Sequence, residues 1–177
     1  MTRVIHWSTL LHVGAERLGG GGLALGVFAA AFLVVRLAGS RLVDDVGPST
    51  VALGSVAVEA AALVGVALAP TAPPLLVALV ALGAGVALVF PSLAVWLVEE
   101  TPEHERGAAV GAMTACWDVG IALAGPLGGL VVSSGDFGPA FVLAAAASTA
   151  AAVALLIARD RRPASAVRQR VGHRVSP

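Results

Sequence analysis

Five runs of near-uncharged Ala, Val, Leu and Gly, at residues 20–38, 50–70, 74–97, 107–133 and 138–158, take up most of this 177-residue chain. Each is long enough, at a rise of about 1.5 Å per residue, to reach across the ~30 Å hydrocarbon core of a bilayer. Nearly every charge falls between or beyond the runs. A soluble fold could bury one helix that is apolar on every face, but not five in a chain this short. Composition agrees: 12% charged residues against 58% hydrophobic leaves too little polar surface to face water. The chain therefore reads as a polytopic membrane protein.

The solvent selects the secondary structure. In hydrocarbon each backbone N–H and C=O must be bonded within the segment or around a closed barrel. Barrel strands alternate lipid-facing and lumen-facing residues over about ten positions. Stretches such as 60–68 and 144–157 are apolar on all sides instead. The expected fold is all-α, a transmembrane bundle of about five spanning helices over residues 20–158. Residues 1–19, with Arg3, Glu16 and Arg17, are too short and too polar to span, and residues 159–177 form a basic, Pro-interrupted tail.

Basic residues set the orientation. If the first helix runs inward, nine of the eleven arginines fall on one side: Arg36, Arg41, Arg106, Arg159, Arg161, Arg162, Arg168, Arg170 and Arg174. Only Arg3 and Arg17 fall on the other. The expected placement is the cell membrane, with a cytoplasmic carboxyl terminus and outward links at 71–73 and 134–137. Trp96 and Trp7 are expected as interfacial anchors.

The order of motifs resembles the carboxyl-terminal half of a major facilitator superfamily transporter of the proton-coupled drug or sugar efflux type, over about residues 10–160. In the first inner loop, Ser40 to Gly47 is similar to the family signature Gly-x-Leu-x-Asp-Arg-x-Gly, with Leu42, Asp44 and Gly47 matching. Ser40 replaces the first Gly, Asp45 the Arg, and Pro48-Ser49 the basic pair that follows, so the resemblance does not carry a loop charge relay to this chain. Phe90-Pro91-Ser92-Leu93, then Thr-Pro-Glu-His-Glu-Arg-Gly at 101–107, Trp117-Asp118-Val119-Gly120 and Gly125-Pro126-Leu127-Gly128-Gly129 are similar to the family's tenth and eleventh helices with their connecting loop. The Gly-Pro-x-Gly-Gly run also resembles a fifth-helix antiporter signature, which would place the chain in the amino-terminal half. The absence of an embedded Arg in residues 74–97 and the degraded loop signature favour the second half. On that reading, residues 1–19 are the remnant of a preceding helix and the chain is a truncated half-transporter.

Two acids lie at membrane depth, each costing about 2.5–3.5 kcal/mol at a helix centre. In residues 50–70 eight Val and Leu residues return about 2.4–4.8 kcal/mol, so Glu59 nearly cancels them and is expected to face protein or to be neutral. The resemblance implies a peripheral helix for Glu59 and a cavity-flanking one for Asp118, which makes Asp118 the stronger candidate for substrate or proton coupling, with helix–helix hydrogen bonding the competing role for both. Gly22/Gly26, Gly107/Gly111 and Gly125/Gly129 are small-xxx-small pairs expected to bring helices close. Pro126 is expected to kink its helix.

Enzyme signatures are missing: there is no HExxH, CxxC, GxSxG or Walker sequence. His6, His12, His104 and His173 are scattered, so no metal site is expected, and lone Cys116 excludes an intrachain disulfide. A net charge of zero gives no field for nucleic acid. Glu99, Glu100, Glu103 and Glu105 read as a solvated acidic loop. With no nucleotide site and no cofactor, any transport is gradient-driven. The expected function is secondary active transport of a small organic solute. The alternative is a non-transporting membrane fragment or small helical scaffold. The expected partners are membrane lipid, the solute, and either a missing amino-terminal half or a second copy.

Overall fold

A computed structural model gives the fold, describing residues 21–131 and 138–160. Expectations for residues 1–19, the 134–137 link, His6, His12, Trp7 and the tail beyond Asp160 lie outside the described residues. The elements are α1 (Gly21–Ala38), α2 (Ser40–Val46), α3 (Pro48–Leu68), α4 (Ala72–Glu100), a 3₁₀ turn at Glu103–Glu105, α5 (Arg106–Val131) and α6 (Gly138–Asp160). Prolines sit in the first turns of α3 and α4, where a missing N–H costs nothing.

Among the described residues, α3, α4, α5 and α6 are long and apolar enough to cross a membrane. The apolar helix α1 is shorter, 18 residues rising about 27 Å, just under the ~30 Å hydrocarbon core. Large apolar side chains such as Leu25, Leu37, Leu68 and Val77 are exposed on the bundle surface, as lipid-facing side chains must be.

Helix α4 is the axis of the bundle, packing on α1 along one side and on α3 along another, while α3 also carries α6. The sequence at its centre explains how. Residues two apart on a helix point about 200° apart, so Gly83 and Gly85 open opposite faces of α4. A Cβ on Gly83 would lie 2.5 Å from the Phe28 carbonyl oxygen of α1, and one on Gly85 would lie 2.9 Å from the Glu59 nitrogen of α3. Higher up, Gly65 of α3 meets the Ala78 methyl group, where an added Cβ would sit at 3.2 Å. At the end of α1, Gly39 lies against Leu88. Lipid supplies no hydrophobic drive for helix association, so this backbone proximity supplies the packing.

Gly22, Gly26, Gly107, Gly111, Gly125 and Gly129, expected from their spacing to hold helices together, face open space: a Cβ at any of them meets nothing within 4 Å among the described residues. The close packing falls to Gly39, Gly83 and Gly85 instead, because α4 is clasped on two sides and needs clearance on both.

The first inner connection, expected as a loop, is the seven-residue helix α2. Val43 turns inward onto Val51, Leu88 and Val35, while Arg41, Leu42, Asp44 and Asp45 are exposed. Gly47 closes α2 at φ 95°, ψ 141°, backbone space almost confined to glycine. Its N–H bonds the Val43 carbonyl and its own carbonyl accepts the Val51 N–H, both at 3.1 Å, joining α2 to α3.

Pro91, inside α4, has no N–H for the Ala87 carbonyl. The vacancy is filled from another helix: Arg36 Nη1, in the last turn of α1, donates to Ala87 O at 3.2 Å. Next to it the fully buried Ser92 hydroxyl donates back to the Leu88 carbonyl.

Two outcomes are expected. Gly83→Ala and Gly85→Ala lower the thermal midpoint of the detergent-solubilised protein by the equivalent of about 1–3 kcal/mol of overpacking, whereas Gly125→Ala is neutral or slightly stabilising; equal effects at all three positions would refute the two-faced clasp. Arg36→Ala costs about 1.5–3 kcal/mol, as for a hydrogen bond to a charged group, and the cost shrinks on a Pro91→Ala background, where residue 91 regains its own N–H. A double-mutant cycle with additive effects would rule out this compensation.

Candidate functional site

The two membrane-depth acids have different settings. Glu59, at the start of the fourth turn of α3, turns toward α6 and accepts a hydrogen bond from the Ser148 hydroxyl at 3.1 Å. It faces protein, as its insertion cost requires, across a seam whose walls from α3, α4 and α6 contribute no cation at that level. Gly85 permits the approach: with α4 lying directly on the Glu59 backbone, the carboxyl group is directed along the α3–α6 seam.

Asp118 lies midway along α5, twelve residues after Arg106 and thirteen before Val131. It is exposed and makes no hydrogen bond or ion pair with the described residues. Its direction follows from helix geometry. Cys116, two positions earlier and about 200° away, lines a crevice against α4 and α6, so Asp118 points away from both. Gly111 and Gly125 lie seven residues from Asp118 and Gly107 and Gly129 eleven, which is within about 20° of whole turns. The four glycines and Asp118 therefore share one outward face.

The same face carries a second acceptor. α5 continues as helix through Pro126 to Val131, beyond the expected kink position. Pro126 provides no N–H to the Ala122 carbonyl, and Ala122 is one turn beyond Asp118. The two residues thus stand about 6 Å apart along the axis, while the neighbouring Thr114 hydroxyl is engaged with the Val110 carbonyl at 3.0 Å. Two acceptors on a donor-poor face suit a proton, an amine or another donor-rich group.

α5 is held to the bundle lightly. An edge-to-face contact between Phe90 of α4 and Trp117 of α5, with ring centroids 5.3 Å apart and planes at 78°, is its aromatic link, and none of its residues is fully buried. Of the signature residues, Gly47 has a structural role in its positive φ, whereas Leu42 and Asp44 are exposed and lie on α2, apart from α5. Glu59 and Asp118 are not brought together. Helix–helix hydrogen bonding was among the roles expected of Glu59, but its partner Ser148 and the Arg36–Ala87 bond are not legible in the sequence. Pro91 was the one available signal, since a proline within a membrane helix implies a carbonyl that needs a donor from elsewhere.

This arrangement of long apolar helices, close-packed at glycines, with its few polar groups facing helix seams or one outward helix face, is that of a helical multi-pass membrane protein. The chain belongs to the Major Facilitator Superfamily, whose profile it matches over residues 4–176. It is similar to an uncharacterized MFS-type transporter of Salmonella typhimurium (strain LT2), with 37% identity over 140 residues, covering 78% of this chain and 36% of the relative. Uncharacterized MFS-type transporters of Burkholderia mallei (strain SAVP1) and Burkholderia pseudomallei (strain K96243) are each 38% identical over 146 residues, covering 82% of this chain and 35% of the relative. The chain thus spans about a third of the length of these relatives. No solved structure matches it.

Removing the Ser148 hydroxyl tests the α3–α6 link. Ser148→Ala is expected to cost about 0.6 kcal/mol, and at most about 1.7, the range of hydrogen bonds between membrane helices. Glu59→Gln, which keeps an acceptor for Ser148, costs less. Chemical denaturation of both variants in mixed micelles reads the difference, and a larger loss for Glu59→Gln would show that charge, not the hydrogen bond, is what matters there.

Proposed function

We propose that this chain forms the carboxyl-terminal half of a secondary active transporter that moves a small organic solute across the cytoplasmic membrane, in the outward direction and coupled to protons. Support for transport comes from membership of the superfamily and from relatives that carry the name transporter. Support for proton coupling comes from a single arrangement, the outward face of α5: Asp118 has no hydrogen-bond partner among the described residues, it stands one turn before the Ala122 carbonyl, to which Pro126 gives no N–H, and it is flanked by four glycines that let another helix or a solute come close. On this reading Asp118 takes up and releases the coupling proton or binds a donor group of the solute, while Glu59, bonded to Ser148 across a different seam, has a lesser part. The side on which Arg36, Arg41, Arg106 and Arg159 gather is cytoplasmic, and so is the carboxyl terminus.

The same glycine face would equally serve a non-transporting scaffold that binds other membrane helices, and Asp118 separates the two readings. In inverted vesicles carrying the complete carrier, a panel of amines, sugars and aromatic acids is expected to include solutes that evoke proton movement read by a pH dye. Asp118→Asn is expected to insert normally and to cut that signal about 10²-fold, the lower end of the span for positioned proton-transfer groups. Full pH-dependent flux in Asp118→Asn would remove Asp118 from the coupling mechanism.

A further inference from the structure

One turn before Glu59, α3 carries a second polar side chain, Ser55. Four residues apart, the two share a face of the helix, and helical side chains lean toward the N-terminus, so the Glu59 side chain covers the turn that holds Ser55. Ser55 is 8% exposed, yet its hydroxyl makes no hydrogen bond with the described residues. Glu59 receives Ser148 on Oε1, and Oε2 has no donor among them. Buried polar groups left over in this way call for an ordered water or an ion. The surroundings are small and uncharged. Gly85 of α4 lies on the backbone of the 55–59 turn. Successive spans alternate in direction, so α6 runs against α3, and one turn inward from Ser148, as Ser55 is from Glu59, α6 carries Ala152. Across residues 48–68, 72–98 and 138–158 Glu59 is the one ionisable side chain.

We propose that Glu59, Ser55 and Ser148 hold a sodium ion at the α3–α6 seam. A charge taken out of water is paired or coordinates a metal, and no cationic side chain is available to Glu59 from the spans of α3, α4 or α6. The donors are hard oxygens, one carboxylate and two hydroxyls, which suit hard cations and not the metals that seek imidazole or thiolate. One carboxylate balances one positive charge, whereas a divalent ion would leave an excess charge at membrane depth, where unpaired charge is costly. The Ser148 hydroxyl can donate to Glu59 and still serve the ion, because its oxygen keeps two lone pairs. The ion then supplies the compensation that the protein walls lack and ties α6 to α3. The inference goes beyond the transport reading, because binding here requires neither flux nor Asp118.

The test compares unfolding of the protein in mixed micelles in sodium chloride and in choline chloride, at equal ionic strength and fixed pH. At about ten times its Kd sodium is expected to raise the folding equilibrium constant about tenfold, since stabilisation follows 1 + [L]/Kd, and magnesium at the same ionic strength should act as choline does. Ser55→Ala gives the sharpest reading. In choline it is expected to be neutral or slightly stabilising, because an unpartnered buried hydroxyl is removed, and in sodium it should fall below the parent protein. Glu59→Gln, which keeps an acceptor for Ser148, should cost little in choline and should lose the sodium increment altogether. Equilibrium dialysis of radiolabelled sodium against the same variants gives an independent affinity. Equal stability in sodium and choline, with no sodium retained in dialysis, would overturn the proposal. Stability that follows pH and ignores sodium would show that a proton occupies Glu59, and would overturn it too. Asp118→Asn should leave sodium binding intact, so failure here and failure of the coupling mechanism are separable.

Discussion

The bundle depends on one constraint: α4 must pass between two helices closely enough for its backbone to touch both. Lipid tails are as apolar as the side chains they surround, so association rests on close packing and on polar groups that find partners. Gly83 and Gly85, on opposite faces, give α4 access to α1 and α3 within the same helical turn. From that crossing follow the direction of Glu59 toward α6, the burial of Ala87 and Ser92, and the seat of α2 on Leu88. α5 lies outside this clasp, and its outward face meets no other helix among the described residues.

The fold was largely legible in the sequence because the bilayer leaves a chain so few choices. Runs of twenty apolar residues in hydrocarbon must be helices, and the expected spans 50–70, 74–97, 107–133 and 138–158 lie close to α3, α4, α5 and α6. What the runs did not disclose was which residues touch. Gly125 and Gly129 have the four-residue spacing that suits a two-helix seam, yet they meet nothing among the described residues, while Gly83 and Gly85, two residues apart, serve two seams. Spacing identifies a shared face but does not reveal whether a neighbour lies there. The 40–47 connection, expected as a loop between two spans from its likeness to a family loop signature, is a helix in which one side chain, Val43, has a core to enter.

The candidate site was legible in the same partial way. Insertion cost alone singles out Glu59 and Asp118, since both must be compensated in a membrane. It cannot tell a residue that is compensated within the chain from one that is not. Glu59 meets Ser148, 89 positions away, and that pairing depends on how three helices cross. Asp118 meets no described partner, and its outward direction became clear only through Cys116 on the opposite side of α5.

The bond from Arg36 to the Ala87 carbonyl has a mechanical consequence. Within a helix ladder, a carbonyl and its donor are fixed by the same backbone, so bending the helix lengthens the bond. At Ala87 the donor is carried on a long, many-jointed side chain from α1. A donor held this way does not fix the angle of α4 at Pro91 as a ladder N–H would. The tether ties the middle of α4 to the last turn of α1, next to the place where α2 sits against Leu88.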